Sequence, residues 1–293
     1  MSEPSGVSRA VLITGCSTGI GRETARHLVD RGWTVYATAR RLRDVAELEE
    51  AGAHTLELDV TNDRSMSRAV KEVERREGAV GVLVNNAGYS QNGAVEEVPI
   101  DDVRRQFETN VHGLARMCQL VLPGMRAQGW GRIVNLSSMG GRMSLPGGAF
   151  YHGTKHAVEA ISDVLRFKVR PFGIRVVVIE PGPVITNFGA TSVSSVDAVK
   201  TDGDSPYAAF TAEVARITEN AYEKPSAFGA VRPERVARTI EKAVSRRRPR
   251  ARYPVGVMAR TLMGLKRFLP TAGFDLVLRS QFPQPEPVEK EKP

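Results

Sequence analysis

The chain has 293 residues, 41% of them hydrophobic and 25% charged, with a formal net charge of +8. That is enough apolar material for a folded core and excludes global disorder, while only two cysteines, Cys16 and Cys118, exclude a disulfide-built scaffold and an all-cysteine zinc site. The excess charge is local: nine cations and no acid lie among residues 242–267, leaving 32 cations against 33 acids in the rest of the chain.

In chain order, residues 10–14 predict a short buried strand and residues 19–31 a helix. A strand over 34–39, a helix over 43–51, a strand over 54–58 and a helix over 65–77 follow. The alternation continues with a strand at 80–84, one long helix over 101–126, a strand at 132–136, a helix over 151–169 and a strand at 175–179. Strands of about five residues, rich in Val and Ile without alternation, are expected to be buried on both faces. Their alternation with helices predicts right-handed crossovers and a parallel sheet: a doubly wound, three-layer α/β fold of Rossmann type, as one domain over residues 1–282. Residues 182–230 break the rhythm, and 187–228 read as a long loop at the carboxyl edge that shapes a substrate site. Residues 252–256 predict a last edge strand. Residues 246–270 form a basic amphipathic segment, open to three readings: a membrane-surface contact, a cover for the substrate cleft or a subunit interface. Residues 283–293 carry too much proline and charge to pack and are expected to be disordered.

Five scattered histidines show no metal-ligand spacing, so no metal is expected. No run reaches the ~20 apolar residues of a membrane span, and no secretory leader is read. The expectation is a soluble cytoplasmic protein, with peripheral membrane contact through the basic segment held open. No motif of a nucleic-acid-binding module accompanies the cations, so no nucleic-acid partner is expected.

The first strand leads into Thr14-Gly15-Cys16-Ser17-Thr18-Gly19-Ile20-Gly21, which opens a helix. Gly15 permits the tight turn; Gly19 and Gly21 let the backbone and helix start approach a pyrophosphate. Tyr151 and Lys155 stand four residues apart, which places them on one helical face about 6 Å apart. An isolated pair of this kind is usually a solvated face. Here Ser138 ends a strand 13 residues upstream, and a cation beside a tyrosine lowers its pKa from ~10 toward a useful range.

These stretches together resemble the short-chain dehydrogenase/reductases. The resemblance rests on TGCSTGIG, on Asn85-Asn86-Ala87-Gly88, on Asn110 within ETNVHG and on Ser138 in NLSS. Tyr151-His152-Gly153-Thr154-Lys155 and Pro181-Gly182-Pro183-Val184-Ile185-Thr186 complete it, in the family's order over residues ~10–190. It implies that Tyr151 exchanges a proton with the substrate oxygen and that Ser138, rather than Ser137, orients that oxygen. It further implies that Lys155 lowers the tyrosine pKa and binds the nicotinamide ribose, with Asn110 supporting the lysine through a water.

Cofactor contacts are implied at Gly15, Ser17, Thr18, Gly19, Ile20, Gly21, Asp59, Val60, Asn86, Ala87, Gly88, Pro181, Gly182, Val184 and Thr186. NAD-specific members end the second strand with an acid; here Ala39 is followed by Arg40 and Arg41, which favours the 2′-phosphate of NADP(H). The segments 88–100 and 252–256 resemble retinol and hydroxysteroid dehydrogenase-like members, implying a hydrophobic alcohol or carbonyl substrate. Lys168 replaces the family's common glutamate on a helix used for subunit contacts; a homo-oligomer, dimer or tetramer, remains the expectation. Two alternatives stand beside an enzyme: a catalytically silent nicotinamide-binding regulator, which would not need Asn110, Ser138, Tyr151 and Lys155 together, and a membrane-surface adaptor built on the basic segment.

Overall fold

The computed structural model describes residues 6–188, 205–223, 229–282 and 284. Seven parallel strands form one sheet in the order β3-β2-β1-β4-β5-β6-β7: β1 Val11–Ile13, β2 Val35–Ala39, β3 His54–Glu57, β4 Val82–Asn85, β5 Gly131–Leu136, β6 Ile174–Pro181 and β7 Arg252–Val255. The order reverses direction after β1, so the carboxyl ends of β1 and β4 flank a crevice, the place where open α/β sheets bind ligands. The helices are α1 Gly19–Asp30, α2 Ala46–Glu50, α3 Asp63–Glu77, α4 Ile100–Phe107, α5 Leu114–Ala127, α6 Ala149–Val169, α7 Ala208–Glu223, α8 Pro233–Ser245, α9 Val257–Phe268 and α10 Thr271–Arg279. None of the described helices is long and apolar enough to cross a membrane.

Successive residues of β1 point to opposite faces and feed two cores. Val11 and Ile13 pack with Leu28, Val236 and Ile240 on the side of α1 and α8. Leu12 packs with Val70, Met117, Val121 and Val158 on the side of α3, α5 and α6. A buried polar chain crosses the second core. The Asn85 amide donates to Asn135 Oδ1 at 2.9 Å, and the Asn135 amide donates to Ser162 Oγ at 2.9 Å. This ties β4 and β5 to α6, the helix that carries Tyr151 and Lys155.

Several expectations are corrected. β3 is not buried on both faces; its residues are exposed or half-buried, because it is the sheet's edge. The expected helix over 101–126 is broken by a π-helical turn, Glu108–Gly113, between α4 and α5. The expected loop 187–228 contains α7, whose Phe210, Val214, Ile217 and Ala221 follow helical spacing; the rest of that loop lies largely outside the described residues, as does the tail except Gln284. The basic segment is not one patch. Residues 246–250 precede β7, at the amino edge of the sheet, whereas α9 follows its carboxyl end. Arg252 belongs to neither group, because it is drawn into the interior.

There Arg252 Nε meets Glu159 Oε2 at 3.0 Å and Glu180 Oε1 at 3.4 Å, and its Nη2 meets Asp163 Oδ2 at 2.6 Å. Arg142 approaches Glu180 at 4.0 Å. Burial and the neighbouring Glu159 push the Glu180 carboxyl from 4.5 up to about 7, against the pull of Arg142 and Arg252. Between those two values the unfolded chain releases a proton that the fold retains. Glu180 therefore lowers stability as pH rises from about 4.5 to about 7, with no further change above. Asp163, held low by Arg252, acts in the opposite sense, but only in more acidic solution. Glu180→Gln should consequently gain a few degrees of Tm relative to the unmodified protein between pH 5 and pH 8. Thermal melts of both proteins at the two pH values give that difference, and other titrating groups cancel in it. An unchanged difference would contradict the raised carboxyl.

Candidate active site

A cavity of about 600 Å³ opens at the carboxyl ends of β1, β2, β4, β5 and β6. Its floor is the turn from β1 into α1. Gly15 and Gly19 adopt φ of +72° and +59°, which a β-carbon disfavours. Close packing reinforces the requirement: a β-carbon on Gly21 would fall 2.3 Å from the Gly15 oxygen and 2.5 Å from the Asn86 amide. The Asn86 side chain donates to the carbonyls of Thr14 and Gly15 at 2.9 and 2.8 Å, and Thr14 Oγ1 accepts from the backbone of Asn86 and Ala87 at 3.0 Å each. Asn86 thus clamps the turn rather than turning its amide toward a ligand.

Gly15, Ser17, Thr18, Gly19, Ile20, Asp59, Val60, Asn86, Ala87, Gly88, Pro181, Gly182, Val184 and Thr186 all line the cavity, as do Arg40, Ser138, Tyr151 and Lys155. Gly21, Arg41 and Asn110 are not among the lining residues. Gly21 lies beneath the Gly15 carbonyl, Arg41 is held by Asp44 at 2.9 Å, and Asn110 sits behind the wall. Asp59 accepts from the backbone and hydroxyl of Thr61 at 2.9 and 2.8 Å, fixing the turn after β3. Thr186 closes the other side, with its methyl 3.0 Å from where a Gly19 β-carbon would stand.

Tyr151 enters from the first turn of α6 and shares the cavity wall with Ser138. Ser138 ends β5 and caps the short turn Met139–Gly141, its hydroxyl accepting from Gly140 N at 3.1 Å. Lys155 lies one turn along, with Nζ 5.7 Å from the Tyr151 ring centre and donating to the Leu136 carbonyl at 2.8 Å. Burial lowers the lysine from 10.5 to about 8, opposed by Glu159. The expected lowering of the tyrosine is reversed here: burial, then the nearby Tyr222, raise Tyr151 above its ordinary 10, and only the neighbouring Ser138 opposes them.

Asn110 projects from the π-helical turn. Its amide donates to the Tyr89 carbonyl at 2.8 Å and to Thr154 Oγ1 at 3.1 Å, and its oxygen accepts from Tyr89 N at 3.1 Å. Its direct partners are therefore Tyr89 and Thr154. His152, beside Tyr151, fills the gap left by the absent side chains of Gly140 and Gly148, and burial pushes it down to about 4, so it packs as a neutral ring.

Sequence reading missed the aromatic wall. Phe188 stands 5.7 Å from the Tyr151 ring centre, and Tyr89 and Tyr222 line the same cavity. Tyr222 arrives on α7, which is anchored by Tyr207 to Glu96 at 2.8 Å and by Ser205 to Glu97. The apolar period of α7 was a legible signal for the helix, though not for its position over the cavity.

A glycine-cradled helix start, a switch-point crevice and a tyrosine–lysine pair at its inner end define a nucleotide-binding α/β oxidoreductase. The chain belongs to the short-chain dehydrogenase/reductase family: the family model described as short chain dehydrogenase matches residues 9–197. The 3-ketodihydrosphingosine reductase of Bacteroides thetaiotaomicron is 35% identical over 271 residues, covering 92% of this chain and 96% of its own. The NADPH-dependent 3-dehydrocapnine reductase of Ornithobacterium rhinotracheale is 33% identical over 256 residues, covering 84% and 88%. A crystal structure of a short-chain dehydrogenase from Streptomyces avermitilis superposes with a TM-score of 0.75 at 32% identity, covering 95% of this chain and 99% of that one.

The packing around Gly21 gives a direct test. Gly21→Ala places a methyl against backbone that has no slack, and overpacking of this kind costs about 1–3 kcal/mol. The variant should melt several degrees lower and lose at least tenfold in nicotinamide-nucleotide affinity, read by calorimetry and by nucleotide fluorescence titration. Full affinity in the variant would mean that the turn is not part of the nucleotide site.

Proposed function

We propose that the protein interconverts a hydrophobic alcohol and its ketone or aldehyde with NADP(H), and that Tyr151 is the proton-transfer group. The observation that carries this reading is that Tyr151, Ser138 and Lys155 line one cavity, with Lys155 Nζ 5.7 Å from the Tyr151 ring centre. The cavity fits a dinucleotide: Gly15 and Gly19 leave the turn open to a pyrophosphate at the start of α1, and Gly88 leaves its floor free of a side chain. Bound there, the nicotinamide supplies or accepts the hydride.

The chain's own residues handle the proton and the charge. A tyrosine raised by burial stays protonated at neutral pH and serves as the acid in carbonyl reduction. Its proton passes to the substrate oxygen, while the Ser138 hydroxyl donates a hydrogen bond to that oxygen and stabilises charge as it develops. The Lys155 ammonium faces the ring and makes the resulting tyrosinate less costly. In alcohol oxidation the same steps run backward. Tyr89, Phe188 and Tyr222 offer an aromatic surface suited to an apolar substrate. The names of both relatives, each a reductase of a ketone or dehydro compound, support the reductive direction.

NADP(H) is favoured by Ala39, which presents no carboxylate, and by Arg40, which lines the cavity beside it. One relative is NADPH-dependent by name, in keeping with this preference. Arg40 alone carries the preference, since Arg41 is engaged by Asp44.

Tyr151→Phe should lower kcat by about 10²–10⁴-fold while NADPH affinity stays within about threefold, because the ring still packs and only the proton is lost. A screen of NADPH oxidation against aliphatic and cyclic ketones, followed by the variant on the best substrate, measures this. Near-normal kcat would remove Tyr151 from the proton step.

Arg40→Ala should weaken NADPH by about ten- to a hundredfold and leave NADH unchanged, as expected for a charge-assisted hydrogen bond of about 1.5–3 kcal/mol. Equal kcat/KM for the two nucleotides in the unmodified protein would end the NADP(H) assignment.

A further inference from the structure

The hairpin α9–α10 is apolar on two sides. Its inner side supplies Ala259, Met263 and Phe274 to a small core with Met139 and Met143, next to the cavity wall at Gly182. Its outer side also carries apolar residues: Val257, Leu265 and Phe268 are exposed there, with Thr261 and Gly264 at the same helical spacing. Phe268 is 82% exposed and Leu276, on α10, 69%. Soluble helices keep such a second face only where something covers it.

The charges around this face indicate the cover. Arg260 and Arg267 project along one flank of the α9 stripe, and Arg279 ends α10; all three are exposed. Asp275 is the only acid between 257 and 279. Lys266 is turned inward over the Phe274 ring at 4.4 Å. A second copy would bring the same excess of arginines with only Asp275 to answer them, so it offers this face no complementary charge. An anionic bilayer satisfies both features, accepting the apolar residues below its headgroups and the arginines among its phosphates.

We propose that the outer face of α9–α10 docks the protein on anionic lipid bilayers. The geometry places the consequence close to the site. The Gly182 amide donates to the Val255 carbonyl at 3.0 Å, and Val257 begins α9 two residues later. The docked face therefore backs onto the cavity wall at the sheet's carboxyl edge, and the basic residues 246–250, at the other edge, take no part. The proposal stands on this surface alone and does not require the substrate reading above.

The test is co-sedimentation of the full chain with sucrose-loaded vesicles. One set is phosphatidylcholine alone; the other is three parts phosphatidylcholine to one part phosphatidylglycerol. Binding should be at least tenfold stronger to the anionic set and should weaken in high salt. Phe268→Ser with Leu276→Ser should lower it at least tenfold, and Arg260→Gln with Arg267→Gln should abolish the preference for anionic lipid. Both pairs are exposed, and unchanged melting curves verify their folding. No pelleting of the unmodified protein, or equal pelleting of all three proteins, overturns the proposal. So does a dimer, seen by sedimentation velocity, that the serine pair dissociates while no lipid binds.

Discussion

The side-chain amide of Asn86 joins the carboxyl end of β4 to the turn after β1, and the rest of the site is arranged around that clamp. Two hydrogen bonds to the Thr14 and Gly15 carbonyls hold the turn at the depth where Gly21 has no room for a β-carbon. Buried carbonyls at a strand end need partners, and here a side chain supplies them where the sheet ladder has stopped. The same clamp leaves the N–H groups at the start of α1 free for an anion. An anion at this helix start would be met by backbone, and backbone can be aimed only by packing from behind.

The inner end of the cavity is organised by charge in a low-dielectric setting. Tyr151 is raised and Lys155 lowered by the same burial, so two groups whose ordinary values nearly coincide are driven apart, the tyrosine above the lysine. One turn beyond Lys155, Glu159 belongs to the cluster that draws Arg252 into the interior. That arginine binds β7 to α6 through Glu159 and Asp163 and to β6 through Glu180. The last strand of the sheet is thus anchored to the helix that carries the tyrosine and the lysine.

What the sequence disclosed follows from period and spacing. The strands β1, β2, β4, β5 and β6 were legible as short apolar runs, β3 and β7 more faintly as strand-like edges, and the parallel arrangement of β1 to β6 followed from the intervening helices. α8 was legible but unread: Val236, Ala237, Ile240, Ala243 and Val244 repeat at helical spacing behind Pro233. Other features had no one-dimensional signature. Asn86 matches a nucleotide motif whether its amide faces outward or inward, and a rotamer decides that. Arg40 and Arg41 are chemically equivalent until Asp44, three residues beyond Arg41, engages one of them. Tyr222 is 71 residues from Tyr151 in sequence, and only the docking of α7 brings it to the cavity. The charge run 242–267 looked continuous because sequence does not reveal which end of a strand its neighbours occupy.

The π-helical turn at Glu108–Gly113 makes a demand on chain length. A π turn accommodates an extra residue relative to an α-helical path, and each α-helical residue turns the helix by about 100°. Shortening the segment by one residue would let α4 and α5 run as a single regular helix. The flanking helices would keep their faces, because the wide turn already absorbs the extra residue, and Asn110 would lose the position that the wide turn gives it. The Asn110 hydrogen bonds to Tyr89 and Thr154 would then be lost even though α5 kept its packing on β4 and β5. The length of this segment is thus more tightly constrained than its composition: its side chains can vary at exposed positions such as Glu108 and His112, but the number of residues from Glu108 to Gly113 cannot.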